Sequence, residues 1–183
     1  MTADRPPDPL SLFWAPVCAV GSHGSNGPNA MISVSVFGAS IVPEKPRLIA
    51  GIFKTNYTEE LVRASGSLAI SVLAEHQVEL LSVLGLRSGR DRSKLSGLDY
   101  ELTEAGDPYF PDASALVDCR VIDGLDGGDA TFFLCRVHDR RWLSDKAPLD
   151  RFAAMQSAGP EFHRVWSQKQ AREQEASRAT MRW

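Results

Sequence analysis

The sequence is poor in the features that mark several large classes of protein. It has three cysteines, Cys18, Cys119 and Cys135, an odd and low number that gives no secreted disulfide framework. No apolar run approaches the roughly 20 residues needed to cross a bilayer, and the opening MTADRPPDPL has no charged-then-apolar signal pattern. Neither sign of charge dominates: 20 Lys and Arg against 23 Asp and Glu leave a net charge of −3. That balance lacks the basic footprint of a nucleic-acid binder, although it allows a local basic pocket. Neither GxSxG nor HExxH occurs, so neither hydrolase pattern is present. Gly21, Gly24 and Gly27 are spaced GxxGxxG and lead into a strand, which is not the dinucleotide fingerprint of GxGxxG opening a helix. Cys119, Cys135 and His138 fall short of the four regularly spaced ligands of a closed zinc site. These absences predict a cytoplasmic protein with no membrane, metal or nucleic-acid partner.

The 183 residues, 43% hydrophobic, suit one domain with its own core. Residues 1–11 are proline-rich and polar and are read as an extended arm, 12–146 as a strand-rich domain, and 147–183 as a helical C-terminal extension. Leu12 to Gly21 is β-rich and runs into the turn SHGSNGPN. Ala30 to Phe37 (AMISVSVF) then alternates. Ala30, Ile32, Val34 and Val36 share one face, and Met31, Ser33, Ser35 and Phe37 the other. Two hydroxyls between two large apolar groups suit a face that meets an amphipathic ligand. RLIAGIF (47–53) reads as a buried strand, and TEELVRAS as a short helix opened by Thr58 and stopped by Gly66. LAISVL (68–73) is another strand, and a second helix is predicted near 75–84. Strands near 115–122 and 130–137 flank the turn Asp126-Gly127-Gly128 as a hairpin. Helices near 149–156 and after Pro160 end the chain. Strands predominate and do not alternate βαβα, so an antiparallel barrel is the expected architecture.

Two segments carry candidate chemistry. KTNYTEEL stands between a strand and a helix, so Lys54, Thr55 and Thr58 combine a cation, two hydroxyls and a helix N-terminus. This is a phosphate-binding combination. Taken alone, a simple cap by Thr58 or Asn56 explains the segment equally well. The loop LRSGRDRSK brings Arg87, Arg90, Arg92 and Lys94 around Gly89. It can reach an anion or stand solvated, with Asp91 as an internal partner. His23, in the glycine-rich turn beside this region, is the one histidine given a functional option.

In order along the chain, PVCAVGS, the glycine-rich turn into NAMISVSVF, EKPRLIAGIFK, TNYTEELVRASGSLAISVL, LGLRSGRDRSKLSG, and the strand pair ALVDCRVID and GDATFFLCRV resemble the flavin-reductase-like family of FMN-binding split β-barrels. The resemblance covers residues 12–140. It implies a mainly β, Greek-key split barrel with inserted helices, a homodimer, and FMN (FAD as an alternative) reduced by NAD(P)H. The ring contacts it implies are Asn29, Ala30, Met31, Ile32, Ser33 and Ser35. The phosphate contacts are Lys54, Thr55 and Thr58. The basic loop is carried over as Ser88, Gly89, Arg90 and Lys94 near the phosphate or ribityl chain.

Two departures stand out. Ile32 replaces a small hydroxyl residue, and Gly128-Asp129-Ala130 stands where reductases of the family often carry Gly-Asp-His or Gly-Thr-His. The missing imidazole weighs against rapid NAD(P)H oxidation more than against flavin binding. Three functions are therefore expected in order: an NAD(P)H:flavin reductase, with a monooxygenase or other redox partner; a flavoredoxin-like electron carrier; or a non-flavin binding module on the same barrel.

Overall fold

The computed structural model describes residues 16–90 and 92–181. The predicted arm at 1–11, the start of the first predicted strand and Asp91 lie outside them. Seven strands form one antiparallel sheet: β1 (Cys18–Gly24), β2 (Gly27–Ser33), β3 (Val36–Gly38), β4 (Arg47–Phe53), β5 (Ser67–Val72), β8 (Ala115–Asp126) and β9 (Ala130–Trp142). Their order in space is β2-β1-β5-β8-β9-β4-β3. The two edge strands, β2 and β3, are thus consecutive in the chain and separated only by Val34 and Ser35. A sheet whose edges are tied together this closely must curl, and it forms a half-barrel, as the resemblance implies. A short ribbon, β6 (Glu101–Leu102) with β7 (Pro108–Tyr109), lies beside it.

The curl divides most of the apolar residues between two cores, with Ala69, Tyr109 and Leu116 as a third, small cluster. Cys18, Val20, Met31, Leu48, Ile52, Leu68, Ile70, Cys119, Phe133 and Cys135 fill the barrel. On the outside, Val17, Ala30, Leu73, Leu81, Leu84, Phe110, Leu149 and Phe162 pack the sheet against the turns and C-terminal helices. Each fully buried aliphatic side chain contributes about 1.5–3 kcal/mol, so a large-to-small change at Ile52, which is 0% exposed, costs about 2–5 kcal/mol. The three cysteines are free and buried. Cys119 pairs with Val137, and Cys135 with Val121, so the two thiols are diagonal neighbours inside the barrel.

The alternation read from Ala30 to Phe37 does not run unbroken. Ile32 and Val34 pack on the outer core and Val36 on the inner one, so the bend at Val34–Ser35 reverses the sidedness. Ser33 Oγ, which accepts from the Ser35 N–H at 3.1 Å, holds that bend. Helix α1 (Tyr57–Ser65) ends on Gly66 at φ 70, the left-handed stop that glycine adopts most readily. The helix predicted at 75–84 is instead a set of turns leading into a π-helical turn, Leu81–Gly85. There the apolar periodicity serves burial of Leu81 and Leu84 rather than a regular helix. The hairpin strands are longer than predicted. The chain closes with α2 (Arg151–Ser157), capped by Asp150, and α3 (Pro160–Arg178). On α3, Phe162 and Trp166 pack on the outer core of the chain's own barrel, their rings stacked 5.9 Å apart.

Candidate functional site

Helix α1 begins where β4 leaves the sheet. Its N-cap residue, Asn56, makes no side-chain capping bond, so the helix keeps free first-turn N–H groups and the positive end of its dipole. Thr58, 0% exposed, does not cap the helix either. Its Oγ1 accepts from Nδ2 of Asn29 on β2 at 2.7 Å, leaving its own proton to donate. Asn29, 3% exposed, has no partner for Oδ1, and Oγ1 of Thr55 is likewise buried and unpartnered. A buried polar atom without a partner costs about 1–3 kcal/mol, so two of them beside an open helix N-terminus are suited to receive a polar group.

The basic loop folds over the same place. A Cβ on Gly89 would stand 2.1 Å from Asn29 Oδ1, so only glycine lets the loop approach so closely. Arg90 donates from Nη1 to the Thr55 carbonyl at 3.0 Å, pairs with Glu60, and lies 5.7 Å from the Tyr57 ring centroid. The Arg90 N–H donates to Ser88 Oγ at 3.2 Å. Lys54 sits at the mouth, its backbone tied to Asp129 O and its Nζ donating to Asp126 Oδ1 at 2.6 Å. Lys54, followed by the Gly128 N–H, holds the Asp126 carboxyl below its ordinary range.

Asn29, Thr55, Thr58, Ser88, Gly89 and Arg90 therefore come together, with Lys54 at their edge. The other sequence candidates are spread around them. Met31 points into the barrel, whereas Ala30 and Ile32 face the outer core. Ser33 is used in the bend, and Ser35 accepts the Gly51 N–H through its carbonyl at 2.7 Å. Lys94 is buried beneath the loop and donates to the Leu84 carbonyl at 2.9 Å. Burial, aided by the nearby Lys169, lowers its pKa to about 8.

Sequence reading missed a buried network behind α1. Glu59, 4% exposed, accepts from Thr131 Oγ1 at 2.6 Å and pairs with Arg63, which also donates to Thr131 at 2.8 Å. The i, i+4 spacing of Glu59 and Arg63 was the only signal available. His23, by contrast, bonds through Nδ1 to the buried Asp107 at 2.7 Å. By strand alternation His23 lies on the outer face, opposite Asn29, so it anchors the segment before β7 and does not enter this site.

The chain is similar to several known proteins. The high molecular weight rubredoxin of Moorella thermoacetica is 32% identical over 123 residues, 66% of this chain and 53% of its own length. The chain thus spans about half of that relative. The FMN reductase (NADH) RutF of Agrobacterium fabrum is 27% identical over 132 residues, 72% of this chain and 74% of the relative. In fold, the chain is similar to nitrilotriacetate monooxygenase component B of Mycobacterium thermoresistibile, with a TM-score of 0.67 at 24% identity over 76% of this chain and 75% of the other. Flavoredoxin of Methanosarcina acetivorans gives a TM-score of 0.64 at 22% identity, over 77% and 75%. Residues 10–155 match the flavin reductase like domain along their whole length, and the chain belongs to that family.

Proposed function

We propose that the chain is an FMN-dependent oxidoreductase of the NAD(P)H:flavin reductase type. The observation that carries this reading is the pair of unpartnered buried oxygens, Asn29 Oδ1 and Thr55 Oγ1, at the uncapped N-terminus of α1. A phosphate monoester needs donors, and the hydroxyls of Thr55 and Thr58, the first turn of α1 and Lys54 supply them. A ribityl chain has hydroxyls to donate, and Asn29 Oδ1 accepts one. Ser88, Gly89 and Arg90 flank that position, with Lys94 buried beneath their loop. β2 is an edge strand, so one row of its main-chain N–H and C=O groups is unused by the sheet and free to bond the rim of the flavin ring along Asn29–Ser33; Ser35, its N–H and C=O already bonded, has only its hydroxyl to offer. Bound FMN supplies the hydride-accepting ring. The chain orients that ring and the nicotinamide, excludes water and fixes the hydrogen bonds at the ring's edge.

One observation favours a second reading, an FMN-binding electron carrier. Ala130, 4% exposed at the start of β9, offers no proton-bearing group where related reductases often have histidine. Anaerobic titration of the FMN-loaded protein with NADH and then NADPH separates the two. Bleaching of the flavin band within seconds supports the reductase. A flavin that stays oxidised with both donors and bleaches with dithionite supports the carrier.

We further propose a homodimer built on the outer face of β3, β4, β9 and the far end of β8. Phe37, Phe53, Leu125 and Phe132 are exposed there by 40%, 51%, 70% and 37%, a patch of the kind that marks an interface. Beside it, Arg47 and Arg136 stand directly opposite each other on neighbouring strands with no carboxylate partner among the described residues. The repulsion is relieved if acidic groups of a second copy meet them. A flavin-dependent monooxygenase is a fitting recipient of the reduced flavin. No described helix is long and apolar enough to cross a membrane, and with three free thiols the cytoplasm is the compartment we assign.

A further inference from the structure

Helix α3 lies beyond the residues that match the family, yet it and the residues just after it come close to two elements that border the candidate site. It is 19 residues long, about 28 Å. Its first half is anchored: Phe162 and Trp166 pack on the outer core with Leu81 and Leu84. At mid-length Lys169 comes close enough to the buried Lys94 to act on its charge. Just past its end, Met181 and Thr180 meet the tip of the β8–β9 hairpin. A Cβ on Gly128 would stand 3.1 Å from Met181 Sδ and 3.4 Å from Thr180 O. That tip is the wall to which Lys54 is tied through Asp126 and Asp129. α3 thus runs from near Lys94, at the end of the loop that carries Gly89, to the hairpin tip at Gly128, to which Lys54 is tied.

The inward stripe changes character along the helix. After Phe162, Val165 and Trp166 come Lys169, Glu173 and Ser177, all half-buried. The polar half gains little from burial. Its ion pairs, Lys169 with Glu173 and Glu175 with Arg178, lie within the helix itself. They persist if this half swings away, so opening gives up the contacts at Gly128 and the partial burial of Lys169, Glu173 and Ser177, while Phe162 and Trp166 stay packed as the hinge anchor.

We propose that α3 is a strap across the flavin site, and that its C-terminal half undocks from the β8–β9 hairpin for flavin to enter or leave. The proposal rests on the site reading above. It makes the chain a slow exchanger of flavin, one that retains its cofactor through many turnovers.

Two variants test it: truncation after Gln168, and Met181→Asp, which sets a carboxylate beside Asp126 and Asp129 without removing the helix. In the first measurement each protein is loaded with FMN and mixed with an excess of a flavin-scavenging apoprotein, and release is followed by flavin fluorescence. We expect release at least tenfold faster on truncation and severalfold faster for Met181→Asp. The second needs no flavin. Thr55→Cys is introduced into each background and labelled with a small uncharged thiol reagent, the native cysteines being buried. We expect slow labelling in the full chain and at least fivefold faster labelling in both variants. Unchanged labelling in both overturns the strap. Should truncation unfold the chain, Met181→Asp decides alone. If the full chain fails to bind FMN, the site reading falls, and the labelling rates still decide the strap.

Discussion

Asn29 and Thr58, 29 residues apart in sequence, are joined by a buried hydrogen bond of 2.7 Å that ties the edge strand β2 to the first turn of α1. The bond uses the amide nitrogen of Asn29 and the oxygen of Thr58. What it leaves over is an acceptor on Asn29, Oδ1 being without a partner, and a hydroxyl proton on Thr58.

Replacing Thr58 with alanine removes that proton and strands the Asn29 amide. Hydrogen bonds to charged groups are worth about 1.5–3 kcal/mol, so the Kd for FMN should rise at least tenfold, while riboflavin, which lacks the phosphate, should lose much less. Fluorescence titration with both ligands measures this. Equal losses would take Thr58 out of the phosphate site.

Installing histidine at Ala130 should raise the steady-state rate of NAD(P)H oxidation severalfold if the missing imidazole limits it. The control is FMN affinity, which should stay within about threefold of wild type, because binding is assigned to α1 and β2. An unchanged rate would mean that this position does not set the speed.

Lys94 gives a pH signature. Its folded pKa, about 8, lies below its ordinary value. Between those two values the unfolded chain binds more protons than the folded one, so stability rises with pH across that window. Below it, the full cost of burying the charged amine is present. The difference in unfolding free energy between wild type and Lys94→Met should shift towards wild type as pH goes from 7 to 10, by an amount on the order of 1–3 kcal/mol. A flat difference across that range would mean that Lys94 titrates as an exposed lysine does.

Phe132→Glu should convert a dimer to a monomer in sedimentation experiments at micromolar concentration. Phe132 lies at the centre of the exposed patch, opposite Leu125 on one side and Gly51 on the other. A variant that sediments as wild type would move the interface elsewhere.

Much of the fold was legible because strands and stops are local. Alternation gave β2, the Asp126-Gly127-Gly128 turn gave the hairpin, and Gly66 gave the end of α1. Other features depend on residues far apart in sequence. The reversal at Val34–Ser35 arises because β2 and β3 lie at opposite ends of one sheet, and no periodicity records that. At the candidate site, KTNYTEEL and the Gly89 loop were visible as segments. Whether Thr58 capped α1 or served a ligand was not, since its partner, Asn29, lies on another strand. The Glu59–Thr131–Arg63 network was hidden for the same reason: Thr131 stands 72 residues from Glu59.

The two-residue link between β2 and β3 also concentrates a weakness. Because the sheet's two edges follow one another in the chain, a single proteolytic cut between Val34 and Ser35 would release both together. Each edge, no longer held by the other, would offer its already unpaired row of main-chain groups to any passing strand. Damage at one peptide bond could thereby turn a self-contained sheet into a seed for aggregation.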